Sequence, residues 1–155
     1  MLKALIGSIA LSMAALPMGA AALANTPVSL SSEVQVIRII EKDGTKIEAL
    51  VPASKVVPGD RLVFTTVFHN QTDQTVQNCV LLNAVPKGIT VAADGNFESS
   101  VDGGKTFAAL SQLTVKNDDG SSRAANFADV SSLRWTIPSI APGAKGEVKY
   151  FATVQ

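Results

Sequence analysis

From Arg61 to His69 the sequence is written with a period of two. Leu62, Phe64, Thr66 and Phe68 alternate with Arg61, Val63, Thr65 and Val67. A strand sends successive side chains to opposite faces, so this phase puts the two Phe rings on a buried face and His69 on the other. A helix would need apolar residues recurring at three and four positions, and no stretch sustains that over three turns. The rest of the chain repeats the pattern in short runs. Val34 to Glu41 and Ile47 to Val51 flank Asp43-Gly44, a two-residue hairpin signal because both central residues of such a turn take positive φ. Cys79 and Leu81 fall in phase, as do Leu133, Trp135 and Ile137, and then Val148, Tyr150, Ala152 and Val154. Pro58-Gly59-Asp60, Pro86-Lys87-Gly88, Asp102-Gly103-Gly104 and Pro142-Gly143 punctuate the runs. About seven to nine short strands at this spacing imply an antiparallel, immunoglobulin-like β-sandwich.

The N-terminus does not belong to that pattern. Lys3 is the only charge in the first 24 residues, eighteen of which are apolar, and Ala22-Leu23-Ala24 closes the stretch. A charged start, a short apolar run and a small-x-small end read as a secretory signal peptide with cleavage after Ala24. A membrane anchor would need roughly 20 unbroken apolar residues, and Pro17 and Gly19 interrupt the run. Residues 25–32 read as a flexible N-terminal segment, and 33–155 as a single sandwich domain. Localisation is then the periplasm, the cell surface or the extracellular medium, with no membrane span after leader removal.

Charge and ligand chemistry narrow the function. The chain carries 13 Lys+Arg and 13 Asp+Glu, which gives nucleic acid no electrostatic footing. All three Met lie in the leader, leaving His69 and Cys79 as the only other soft or imidazole ligands. Neither copper nor zinc finds an ordinary ligand set there, so no metal and no cofactor are expected. A lone Cys has no partner in its own chain. Its phase with Leu81 predicts a buried free thiol.

Three stretches together resemble a known bacterial family. Val57-Pro58-Gly59-Asp60-Arg61-Leu62-Val63-Phe64-Thr65, ending at Asn70, is similar to the opening of the conserved-repeat (DUF11) domains. Asn78 to Ile89, with its Pro86-Lys87-Gly88 turn, is similar to their next strand and turn. Leu133-Arg134-Trp135-Thr136-Ile137, followed by Ile140-Ala141-Pro142-Gly143, resembles their closing element. The resemblance runs from about Val56 to Val154, in a single copy. It implies an exported envelope domain without catalytic activity, with Pro58, Gly59, Asp60, Asn70, Pro86, Gly88, Trp135, Pro142 and Gly143 as structural positions.

Other features carry competing expectations. Ser100-Val101-Asp102-Gly103-Gly104-Lys105-Thr106-Phe107 resembles the Asp-box of sialidases and other β-propellers. Asp102 is expected to bind backbone N–H groups, Gly104 to permit the turn and Phe107 to pack beneath it, so a structural hairpin outweighs glycan chemistry. A hydrolase would need paired carboxylates, for which Asp94, Glu98 and Asp102 are candidates in loop context. Trp135, the only Trp, reads as core rather than a sugar platform. His69 reads as outward-facing, with no nucleophile elbow to serve. Residues 116–132 are polar and read as a long mobile loop, in which Asn117, Asp118, Asp119 and Asp129 match no calcium-loop spacing. Asn70-Gln71-Thr72 is a formal glycosylation sequon, discounted for a chain of bacterial character.

The expected function is therefore a non-enzymatic structural or binding module with an unknown protein or envelope partner, acting through sheet edges and loops. Alternatives are a self-assembling subunit that pairs its Val28 to Ile40 run with a neighbour's edge, a carbohydrate-active protein, and a small-ligand carrier with an apolar cavity.

Overall fold

The computed structural model describes residues 27–155. The expected leader, its cleavage point after Ala24, Asn25 and Thr26 lie outside the described residues. The chain runs β1 (Val28–Lys42), β2 (Thr45–Pro52), β3 (Arg61–Asn70), β4 (Val76–Ala84), β5 (Ile89–Val91) and β6 (Glu98–Ser100). A 3-10 turn (Leu110–Gln112) precedes β7 (Thr114–Lys116) and β8 (Ser122–Ala124), and a second (Phe127–Asp129) precedes β9 (Ser132–Ile140) and β10 (Lys145–Val154).

These form an antiparallel β-sandwich. One sheet has the order β2-β1-β3-β10-β5, the facing sheet β4-β9-β6, and β7-β8 is a small separate hairpin. The core lies between the two sheets. Leu81, Leu133, Trp135 and Ile140 from the smaller sheet meet Phe68, Val148, Tyr150, Ala152 and Val91 from the larger. The alternation in β3 holds in part: Leu62, Thr66 and Phe68 are buried and Phe64 packs on the core with its ring stacked on Tyr150 at 4.5 Å, but Val63, on the opposite face, is buried as well. Trp135 is core, edge-on to Phe97 at 5.7 Å. Gly146 stands opposite Phe68, and a β-carbon there would lie 2.3 Å from the ring, so the missing side chain lets Phe68 cover β10.

Two expected boundaries are corrected. Val28 to Ser32, expected to be flexible, are strand residues paired with Asn70 to Thr66 of β3. The first strand is therefore longer than Val34 to Glu41. Residues 116–132, expected to be a mobile loop, hold β8 and the second 3-10 turn. Asn126 caps that turn by accepting the Ala128 N–H, and Arg123 forms a bidentate pair with Asp129 at 2.7 Å. Ten strands result, because β5 and β8 are three-residue elements fixed by their partners β10 and β7.

Candidate functional site

The long first hairpin outruns the sheet that carries it. β1 pairs with β3 only as far as Ile37↔Arg61, whereas its pairing with β2 continues to Lys42↔Thr45. Arg38 to Lys42 and Thr45 to Ala49 thus form a two-stranded arm, closed by Asp43 and Gly44 at φ 51° and 75°. That is the positive-φ pair the sequence requires of a two-residue turn. The arm and its base expose aliphatic side chains on both faces, on one of them among Glu41, Lys46 and Glu48. Ile40 and Ile47, paired in register, are 41% and 39% exposed on one face, while Ile39 at 70% and Leu50 at 53% are exposed on the other. Isolated exposed aliphatics need no explanation, but here four gather on one hairpin.

The arm's base is fixed by one carboxylate. Asp60 is buried immediately before β3 and forms a bidentate pair with the guanidinium of Arg38, the first β1 residue beyond the β3 ladder. Asp60 Oδ2 also accepts the Val57 N–H at 2.9 Å. Gly59 takes φ 89° in the Val57–Asp60 turn, a conformation that favours glycine, and its N–H donates to Val154 O. The Arg38 hydrogen bonds, then the Val57 N–H, lower the Asp60 pKa. Pro58, Gly59 and Asp60 are thus the socket of the arm, a role that turn punctuation alone did not reveal.

The Asp-box-like segment folds as a closed turn. Asp102 Oδ1 accepts the Ser100 hydroxyl at 2.7 Å and the Lys105 and Thr106 N–H groups at 3.0 Å, while Oδ2 accepts the Thr106 hydroxyl. The Thr106 hydroxyl, followed by that of Ser100, drives the Asp102 pKa far below the usual carboxylate range. Gly104 donates to Ser100 Oγ, and Ser131 ties the turn to β6 through Ser100 O. Phe107 carries the Arg134 guanidinium 4.7 Å above its ring, and Arg134 Nε donates to Glu98 at 2.8 Å. That bond lowers the Glu98 pKa. Both carboxylates are held in the charged form by fixed partners, the opposite of what a general acid requires.

The remaining positions brace the fold. Asn70 is fully buried at the end of β3. Its Nδ2 donates to the carbonyls of Gln74, Ile140 and Ala141, and its Oδ1 accepts from the N–H and hydroxyl of Thr72. The sequon nitrogen is therefore enclosed. Pro86 and Gly88 form the turn into β5, where Gly88 O accepts the Gln155 N–H. Pro142 and Gly143 form the turn before β10, closed by Ala144 N–H to Ala141 O at 3.0 Å. Cys79 is in phase with Leu81 as expected, but only half-buried against the core's margin. His69, expected to face solvent, is half-buried on the outer sheet face in register with Ser29 and Lys145.

Asp119 accepts from the N–H and hydroxyl of Ser121, while Asp129 is engaged by Arg123 and the Asn126 N–H. Among the described residues no three His, Cys, Asp or Glu converge as metal ligands, and no helix is long and apolar enough to cross a membrane. An open cleft of about 280 Å³ lies over Val34, Phe64 and Tyr150, with Ser32, Thr66 and Asn83 on its polar side.

Ile39, Ile40, Ile47, Glu48 and Leu50 lie in the two strands expected to flank Asp43-Gly44, and Arg38 to Ile40 in the run offered for self-assembly, but their projection beyond β3 was not expected. The available signal was the unalternated run Val36-Ile37-Arg38-Ile39-Ile40 beside a hairpin turn, which a half-buried strand does not need. Compared with known proteins, the chain matches no family model, no curated protein and no solved structure.

Proposed function

We propose that this chain is a non-enzymatic structural or binding module of the bacterial envelope, exported by its leader. It works by surface complementarity, with the β1–β2 arm as its contact element. The observation that carries this reading is the arm itself: Ile39, Ile40, Ile47 and Leu50 lie exposed on a hairpin whose base is pinned by Arg38 and Asp60. A hairpin tied at its base loses less conformational freedom on binding than a free one, which favours association. The conserved-repeat resemblance supports the same kind of role. The carbohydrate-active alternative draws no support from Asp102 and Glu98, whose carboxylates are occupied by their own loop and by Arg134.

Two measurements test the reading. Fractionation of cells expressing the full chain should recover it from the envelope or the medium with Asn25 as its first residue. A cytosolic product that keeps Met1 overturns export. A photo-crosslinking residue at Ile39 should give discrete adducts in intact cells, while one at Lys87, in the turn before the opposite edge strand β5, should not. Equal labelling at both positions, or none at Ile39, overturns the arm as the contact element.

A further inference from the structure

We propose that β2 is a self-complementary pairing edge, and that its occupant is the β2 strand of a second copy of this chain. The pairing would be antiparallel about a two-fold axis through Ile47. This deepens the sheet-edge reading above and rests on it.

β2 is the outer strand of the five-stranded sheet, and Thr45 to Glu48 and Leu50 are exposed. In a hairpin closed by two residues, the pair flanking the turn exchanges both hydrogen bonds, and such pairs then alternate along the ladder. With Lys42↔Thr45 as that first pair, Ile40↔Ile47 and Arg38↔Ala49 are also bonded inward. The main-chain groups of Lys46, Glu48 and Leu50 therefore point away from β1, at the open edge.

A two-fold pairing of identical antiparallel strands keeps each sheet face continuous, so residues meet only others of the same facing. That limits the axis to a few positions, and charge separates them. An axis at Lys46 sets Lys46 against its own copy, and one at Glu48 sets Glu48 against its own copy; like charges directly opposite are unfavourable. An axis at Ala49 puts Pro52, which lacks an N–H, across from Lys46 and removes a rung. An axis at Ile47 sets Lys46 against the second copy's Glu48, twice, with about four main-chain hydrogen bonds at these two pairs.

Side-chain packing agrees with this register. On one face Ile40 and Ile47 of each copy form a continuous row across the axis, since Ile40 pairs with Ile47 within the hairpin. On the other face Glu41, which pairs with Lys46, extends the charge row to Glu41–Lys46–Glu48, and Ile39 pairs with Glu48 at its far end. Isolated edges usually avoid association by carrying a charge with no match. Here the charges match the strand's own copy.

The test is sedimentation velocity over a concentration series, on the full chain expressed with its own leader and purified. The wild type should show a reversible monomer–dimer equilibrium. Lys46→Glu and Glu48→Lys should each weaken the dimer about tenfold or more, and the combined exchange should recover most of that loss. In a Cys79→Ala background, Ile47→Cys should oxidise to a covalent dimer, because paired β-carbons across an axis lie within disulfide reach, whereas Ile40→Cys should not. A wild type that stays monomeric, or a dimer indifferent to both single reversals, overturns the self-pairing. If the chain is monomeric while Ile39 still gives discrete adducts in cells, the self-pairing fails alone. If those adducts are also missing, the arm reading fails with it.

Discussion

Arg38 and Asp60 meet at the one place where β1 leaves β3. The last rung of that ladder joins Ile37 to Arg61, so Arg38 is the first arm residue and Asp60 the last before β3. Their ion pair links the arm to the Val57–Asp60 turn, while the Asp60 backbone accepts the Val154 N–H from β10. Asp60→Asn keeps the side-chain shape but removes the charge that orients the guanidinium. Exchange of the amides bonded across the arm, those of Ile40, Lys42, Thr45, Ile47 and Ala49, should accelerate about tenfold through local opening, while amides of β3 and β10 keep their protection. Hydrogen exchange with mass spectrometry reads this directly. A uniform acceleration would show that Asp60 holds the whole sandwich rather than the arm.

Several carboxylates share a pH signature. Arg123 and then the Asn126 N–H hold Asp129 at a pKa of about 2, and Asp60 is likewise lowered, chiefly by Arg38. A carboxyl whose folded pKa lies below its unfolded value contributes stability above the unfolded pKa and loses it as pH falls through the folded one. The melting temperature should therefore be level near neutrality and fall from about pH 4 towards pH 2. Asp129→Asn should lower the plateau and make the acid decline shallower. A calorimetric series in which the variant parallels the wild type down to pH 2 would assign the acid limb to other groups.

The fold was legible where local chemistry decides it. Asp43-Gly44 can close a two-residue hairpin, and the period of two in Leu62 to Phe68 fixes which residues share a face, although Val63 on the other face is buried too. Trp135 follows from the same rule. What stayed hidden depends on partners distant in sequence. β5 is three residues whose strand geometry is supplied by β10, and β8 is Ser-Arg-Ala with no apolar pattern at all. The order of residues 116–132 comes from Arg123 finding Asp129 and from Asn126 capping a turn, neither of which composition records. Cys79 shows the limit of phase: it fixes the side a residue faces, not the depth of protein above it. The hairpin was legible but its projection was not, because that depends on strand length relative to β3, a quantity set by the register of another strand.

Asn70 is the polar residue on which the end of the sandwich turns. Its amide satisfies carbonyls in the 70–76 loop and in the β9–β10 connection at once. Asn70→Ala should cost about 2–3 kcal/mol in urea unfolding, since it strands buried acceptors as well as deleting the bonds. Asn70→Asp should be at least as damaging at neutral pH, because a carboxylate would face three carbonyl oxygens where an NH₂ group stood. Thr72→Val removes only the hydroxyl bond to Oδ1 and should cost less. A neutral Asn70→Ala would mean that the two connections hold their shape without it.

Tyr150 offers a spectroscopic check on the packing of the core, because it is the chain's only tyrosine. It lies stacked on Phe64 and 6.2 Å from Trp135, only 2% exposed, and burial pushes its phenol pKa up to about 12. A buried phenolate is disfavoured, so the folded chain resists ionisation that the unfolded chain undergoes near pH 10. The linkage follows: the contribution is intact below pH 10 and is lost as pH rises towards 12, by roughly 3 kcal/mol for such a shift. Phenolate absorbance should therefore rise late, in step with loss of the Trp135 fluorescence signature of the native fold. Phe64→Ala removes the stacked face and lets water approach the ring, which should bring the absorbance midpoint back towards 10 before unfolding. A wild-type titration near 10 with native fluorescence retained would mean that Tyr150 is wet, and that the two sheets do not close over it.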